Sequence, residues 1–173
     1  MGVYFLAGIY GVGKSTLGNE LAKRMNIPFF SAGDLISEVN GETYGANKVV
    51  ADKDGNQNIL AHRVNSLLEK YHKILLAGHF CIMNSENKVD PLPESVFGEL
   101  GIEKILLLEA DTAQIADHLS FRDGKQYPVE LIEQMAATER EMAFSIAARL
   151  SCAVVQHHMT YSGADAAVLI SKM

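Results

Sequence analysis

Positive charge is scarce in this sequence. Its 15 Lys and Arg are outnumbered by 21 Asp and Glu, giving a formal net charge of −6. No bulk field of that sign invites DNA, RNA or an anionic membrane surface, so any anion-binding capacity must be local. Cysteine is nearly absent as well. Cys81 and Cys152 are the only two, both lie in apolar stretches, and neither has metal-ligand spacing. That excludes a disulfide scaffold and fits a reduced, cytoplasmic chain. Long apolar runs are missing: no stretch approaches the roughly 18 residues of a spanning helix. The opening Met-Gly-Val-Tyr-Phe-Leu lacks a basic leader region, and Leu6 stands where a myristoylation signal needs Ser or Thr. No internal repeat or low-complexity tract interrupts the 173 residues, and 48% apolar usage supplies a sizeable core. The expectation is one domain, 1–173, without a nucleic-acid or membrane partner.

Short apolar runs alternate with helical periodicities. Val3–Ala7, Pro28–Phe30, Lys73–Ala77, Ile102–Leu108 and Ala153–Gln156 read as strands. Between them, helices are expected over Lys14–Met25, from Asp34, over Ile59–Tyr71, Thr112–Phe121 and Pro128–Leu150, and finally Gly163–Lys172. Ser31-Ala32-Gly33 closes the second strand, and Pro91 and Pro93 mark a loop. Strand–helix alternation of this kind implies an α/β fold with a parallel sheet covered on both faces. The stretch from Gly41 to Asn58 is the most polar and is expected to be an insertion or a separate lobe.

Gly8-Ile9-Tyr10-Gly11-Val12-Gly13-Lys14-Ser15 fits G-x-x-x-x-G-K-[ST] at every fixed position. It follows an apolar strand directly and opens an amphipathic helix, as the chemistry requires. Glycines let successive backbone N–H groups turn inward toward phosphate oxygens, and the helix adds its positive end. Lys14 reaches the β- and γ-phosphates as a point charge, and the Ser15 hydroxyl can ligate Mg²⁺. Gly8, Gly11, Val12, Gly13, Lys14, Ser15 and Thr16 are therefore the candidate contacts to a nucleoside triphosphate, with ATP and Mg²⁺ the expected cofactors.

With these residues, and with Phe30-Ser31-Ala32-Gly33-Asp34-Leu35-Ile36 after the second strand, the sequence resembles the P-loop nucleoside-monophosphate kinases, adenylate kinases and their short-lid relatives in particular. The resemblance implies a three-layer P-loop NTPase sandwich with a five-stranded parallel sheet in the order 2-3-1-4-5. It implies Mg-ATP-dependent phosphoryl transfer to a small-molecule acceptor, most simply a nucleoside monophosphate. It also implies an acceptor lobe over about 33–72 and a short lid over about 121–128, around Phe121-Arg122-Asp123-Gly124-Lys125. Arg122 and Arg140 then fall in charge-clamping positions. Asp34 matches the acidic position that in shikimate-type kinases lines the acceptor hydroxyl and the metal. Lys14, Asp34, Arg122 and Arg140 are the candidate catalytic residues, and Ser15 and Asp34 the candidate metal ligands.

The sequence departs from that family in two places. Ser37 stands where an acceptor-binding arginine is usual, and Ala77-Gly78-His79-Phe80 lacks both a strand-end acid and a following arginine. A non-nucleotide metabolite kinase of shikimate or gluconate type is the alternative, as is a nucleotide-binding ATPase or switch module. Ordinary roles compete at single residues. Asp34 would cap a helix, Arg122 would be a solvated helix-end cation, Lys125 lid-tip charge, and Arg140, with Glu139 and Glu141 beside it, a surface ion-pair residue. His79 is a strand-end acceptor contact or a satisfied core histidine. Lys48, Lys53 and Arg63 are further candidate acceptor contacts. His157-His158 and Asp52–Asn56 lack convincing metal spacing.

Overall fold

In a computed structural model, which describes residues 1–40, 53–84 and 86–173, the five apolar runs become the strands of one parallel sheet. Its members are β1 (Gly2–Ala7), β2 (Phe29–Ser31), β3 (Lys73–Ala77), β6 (Ile102–Glu109) and β7 (Ala153–His158). Their spatial order is β2-β3-β1-β6-β7, the expected 2-3-1-4-5 when these strands alone are counted. β1 is central and pairs with β3 through Tyr4 and Leu75 and with β6 through Phe5 and Ile105. Being covered on both faces, it is apolar throughout its length rather than alternating.

The helices are α1 (Lys14–Met25), α2 (Ala32–Asn40), α3 (Lys53–Lys70), α4 (Ser95–Gly98), α5 (Thr112–Asp123), α6 (Val129–Leu150) and α7 (Asp165–Ser171). Local chemistry sets several of their ends. The Asp111 carboxylate accepts the Gln114 N–H at 3.0 Å and starts α5, and Gly124, at φ +66°, ends it. Pro128 sits at the cap of α6, one residue before its first turn.

The sheet divides the core in two. On one face Leu17 and Leu21 of α1, Ile115 and Leu119 of α5 and Leu169 of α7 pack together. On the other, Leu35 of α2, Leu60 and Val64 of α3 and Phe97 of α4 pack with Phe5 and Phe80. α6 serves both: Ile132 and Met135 join the first cluster, Ala143, Ile146 and Ala147 the second. α1 packs directly against the ring of Phe29 on β2, for a Cβ at Gly18 would stand 2.3 Å from a ring carbon.

Two features depart from expectation. β4 (Cys81–Met83) and β5 (Val89–Pro91) form a separate antiparallel hairpin, followed by α4, where the prolines suggested only loop. α2 begins at Ala32 directly after β2, so Asp34 lies inside its first turn rather than opening it. Among the described residues no helix is long and apolar enough to cross a membrane. Lys48 and the stretch 41–52, including Asp52 of the considered calcium loop, lie outside the described residues.

Candidate active site

The sheet order reverses between β1 and β3, and open α/β sheets hold ligands beyond the carboxyl ends of the strands at such a point. A cleft of about 460 Å³ opens there. The turn after β1 forms one wall. Gly8, Gly11 and Gly13 have φ of +147°, +80° and +101°, a region that L side chains rarely adopt. A Cβ at Gly8 would also meet the Leu108 carbonyl oxygen at 2.8 Å, and one at Gly11 would meet Leu119 Cγ at 2.8 Å. The first intrahelical bond of α1 runs from the Leu17 N–H to the Gly13 carbonyl. The N–H groups of Lys14, Ser15 and Thr16 therefore precede the helical ladder, as an anion cradle requires.

Lys14 Nζ donates to the carbonyls of Gly8 at 2.6 Å and Ile9 at 3.0 Å, and stands 3.4 Å from His79 Nδ1. An ammonium offers only hydrogens, so in this contact Nδ1 is the acceptor and the ring proton sits on Nε2. The His79 ring packs on Tyr10 with centroids 4.1 Å apart. On the far side of the loop the Tyr161 hydroxyl donates to the Val12 carbonyl at 3.3 Å.

The loop is also held by a residue whose role its neighbours in sequence conceal. Glu139, only 1% exposed, lies where α6 passes between the two core clusters. Its Oε1 accepts the Gly8 N–H at 2.9 Å; its Oε2 accepts the N–H groups of Phe80 at 2.8 Å and Cys81 at 3.0 Å. One carboxylate thus ties the start of the phosphate loop to the turn after β3. Burial pushes its pKa above the ordinary carboxylate range, opposed by the Lys14 charge and the three N–H groups. Burial likewise raises the thiol of Cys81 beside it, which reads as a packed core cysteine. A signal for Glu139 was present: 132, 135, 139, 143 and 146 share one helical stripe, and 139 is its only acid.

Lys14, Ser15, Thr16, His79 and Arg122 line the cleft. Arg122 meets Asp123 in a two-pronged contact, Nε to Oδ1 at 2.6 Å and Nη2 to Oδ2 at 2.8 Å. The Tyr127 hydroxyl donates to the same carboxylate at 2.6 Å. Arg122, then Tyr127, hold Asp123 down to about 2 against its burial, while desolvation and the same bond push Tyr127 up to about 12.

Two candidate catalytic residues are not brought to the cleft. Asp34 is exposed in the first turn of α2 and is not among the lining residues. Arg140 pairs with Glu109 at the end of β6, Nε to Oε1 at 2.6 Å, which is the surface ion-pair role. Adjacent helical residues point in different directions, so Glu139 turns inward while Arg140 turns out. Arg63 is paired with Glu38, and Lys125 lies over the Tyr127 ring at 4.9 Å. His157 Nε2 is 2.8 Å from Asp165 Oδ1 in a buried pair. No cluster of three or more His, Cys, Asp or Glu among the described residues could hold a metal.

Strand order, glycine turn and helix-end cradle together define a P-loop nucleotide-binding α/β fold. A family model described as "AAA domain" matches residues 7–136, and the chain belongs to that family. Shikimate kinase 1 of Salmonella newport is 33% identical over 104 residues, a match spanning 59% of this chain and 60% of the relative. The chain therefore matches about three fifths of the length of such curated relatives. Shikimate kinase from Acinetobacter baumannii, solved in complex with shikimate, superposes with a TM-score of 0.58 at 19% identity, covering 99% of this chain and 90% of that one. A gluconokinase from Sinorhizobium meliloti gives 0.51 at 13% identity, covering 99% and 88%. These structures share the fold. Neither they nor the Salmonella relative is an adenylate kinase, and nothing in the likeness singles that branch out.

Proposed function

We propose that this protein is an ATP-dependent kinase of a small hydroxylated metabolite, with the non-nucleotide alternative preferred over a nucleoside monophosphate. The carrying observation is the cleft in which the phosphate loop and Arg122 face the ends of β2 and β3. The kinase relatives add support to this reading. Against a monophosphate stand Ala77 and Ser37, and the absence of an acceptor-side arginine among the described lining residues.

In this reading the loop N–H groups and Lys14 bind the triphosphate tail. Lys14 and Arg122 neutralise charge on the phosphoryl group as it moves, which is most of what such catalysis needs. Asp123, fixed by Tyr127, keeps the Arg122 fork in one orientation. Magnesium fits a site built from one protein hydroxyl, Ser15, plus triphosphate oxygens and water, since it usually keeps several waters. When bound it would supply further charge neutralisation. Asp34 and Arg140 are left to a helix-first-turn acid and a surface ion pair. The segment about 121–128 serves as the lid, and α2 with α3 as the acceptor lobe.

ADP release from purified protein, with and without candidate acceptors, tests this reading. Stimulation by a hydroxylated metabolite, with the phosphorylated product detected, is expected. Hydrolysis indifferent to every acceptor would instead favour the ATPase or switch module.

A further inference from the structure

The turn that follows β7 is organised by a buried carboxylate. Asp165, in the first turn of α7, is 5% exposed and gathers four donors. Its Oδ1 accepts the Thr160 N–H at 2.9 Å, the Thr160 hydroxyl at 3.0 Å and the His157 Nε2–H at 2.8 Å; its Oδ2 accepts the Tyr161 N–H at 2.8 Å. A carboxylate only accepts, so the His157 proton lies on Nε2. Burial opposes the charge, but the donors from Thr160, His157 and Tyr161 overcome it and hold the carboxyl below its ordinary range.

The consequence falls on Tyr161, whose φ of +55° lies in the left-handed region. A bulky residue there is uncommon and persists only where its surroundings over-determine it. Here they do. The main chain is tied to Asp165, the ring meets His118 of α5 edge to face with centroids 5.2 Å apart, and the hydroxyl donates to the Val12 carbonyl at 3.3 Å. Met159, at the start of the same turn, donates its N–H to the Glu109 carbonyl at 2.7 Å and so ties the turn to the end of β6. A Cβ at Gly13 would lie 3.5 Å from Met159 Cε and 3.6 Å from Tyr161 Cε1, which is ordinary contact. Both side chains therefore back the phosphate loop.

The Val12 carbonyl and the Gly13 N–H belong to one peptide unit, and a trans peptide points them in opposite directions. Gly13 lines the cleft and Tyr161 does not. A hydroxyl that draws the carbonyl away from the cleft turns the N–H toward it. We propose that Tyr161 and Asp165 are positioning residues of the phosphate loop: Asp165 locks the Thr160–Tyr161 turn, and Tyr161 braces the Val12–Gly13 peptide so that its N–H is presented to a bound polyphosphate. The part in binding rests on the proposed function; the brace itself does not. It acts on the phosphates and not on the nucleoside.

Tyr161→Phe keeps the ring against His118 and removes only the hydroxyl, so it isolates the brace. Calorimetry on the full chain, well below its melting temperature, compares a non-hydrolysable ATP analogue with tripolyphosphate, each with magnesium. Hydrogen exchange read by mass spectrometry follows the amides of residues 8–17 without ligand. Both ligands are expected to bind the variant about threefold to tenfold more weakly, as the loss of one modest hydrogen bond implies. The 8–17 amides should exchange faster, while the melting temperature stays within about 2 °C of wild type. Asp165→Asn, which turns an amide toward donors on one side, should weaken both ligands too and speed exchange over 158–164 as well. Unchanged exchange over 8–17 in Tyr161→Phe would overturn the proposal, as would unchanged affinity for two ligands that wild type binds. Weakening confined to the ATP analogue would also overturn it, since Tyr161 would then act on the nucleoside. Faster exchange in the variant, with neither ligand bound by wild type, would sink the nucleotide reading of the cleft and leave the brace standing.

Discussion

Glu139→Ala removes the one acceptor shared by three buried N–H groups, those of Gly8, Phe80 and Cys81, at 2.9, 2.8 and 3.0 Å. An orphaned buried donor costs about 1–3 kcal/mol. The space vacated by the side chain admits water that restores part of this, so the net loss is about 3–5 kcal/mol, the range for breaking one side of a buried charged contact. Burial already works against the carboxylate, as its upward pKa displacement shows, and this keeps the figure from being larger. For a domain of this size about 2–4 °C are lost per kcal/mol, so the melting temperature should fall by about 6–20 °C. Thermal unfolding by circular dichroism measures it. Glu139→Gln keeps one carbonyl for Phe80 and Cys81 but turns an amide toward the Gly8 N–H, and it should fall between wild type and alanine. Both variants should also bind an ATP analogue more weakly at temperatures where they remain folded, because Gly8 begins the loop that carries Lys14. A Glu139→Ala protein melting within about 2 °C of wild type would refute the claim that this carboxylate holds the loop to the β3 turn.

Three further outcomes are expected. Lys14→Ala should lower the rate of phosphoryl transfer about 10²-fold or more while unfolding at nearly the wild-type temperature, checked by ADP release and calorimetry. Arg122→Ala should lower turnover and, because Asp123 loses its main partner, should also lower the melting temperature near neutral pH; unchanged turnover would return Arg122 to a solvated helix-end cation. Because Asp123 is held at about 2, below its unfolded value of 3.8, its stabilisation is present above the unfolded value and lost as pH falls through about 2. Asp123→Asn should therefore lower the melting temperature near neutral pH and converge with wild type near about pH 2, measured by paired melts across that range.

What could be read from the sequence was local. The glycine turn, Lys14 and the α1 boundaries lie within one continuous stretch, and each of the five parallel strands announces itself by a short apolar run. Glu139 could not be assigned its partners in that way, because they lie 131, 59 and 58 residues away. Its place on an apolar stripe is visible in the sequence, but a stripe position names no partner. The β4–β5 hairpin escaped for another reason: three-residue strands, the second ending at Pro91, are too short to show a period. The far wall of the cleft followed it out of reach, since Ile82, Leu92 and Phe97 come from that hairpin, the residue after it and α4. Arg122 reached the cleft as expected, yet its orientation depends on Tyr127, four positions beyond Asp123, whose hydroxyl carries no sequence signature.

The near-contact of α1 with β2 constrains how the sequence can drift. With the Phe29 ring where it is, a Cβ at position 18 would stand 2.3 Å from a ring carbon, so any side chain there requires the half-buried ring to shift. Alanine at 18 is therefore accommodated more readily once the residue at 29 is smaller. The two positions are thus sterically coupled, and family members should rarely combine a phenylalanine at 29 with anything but glycine at 18.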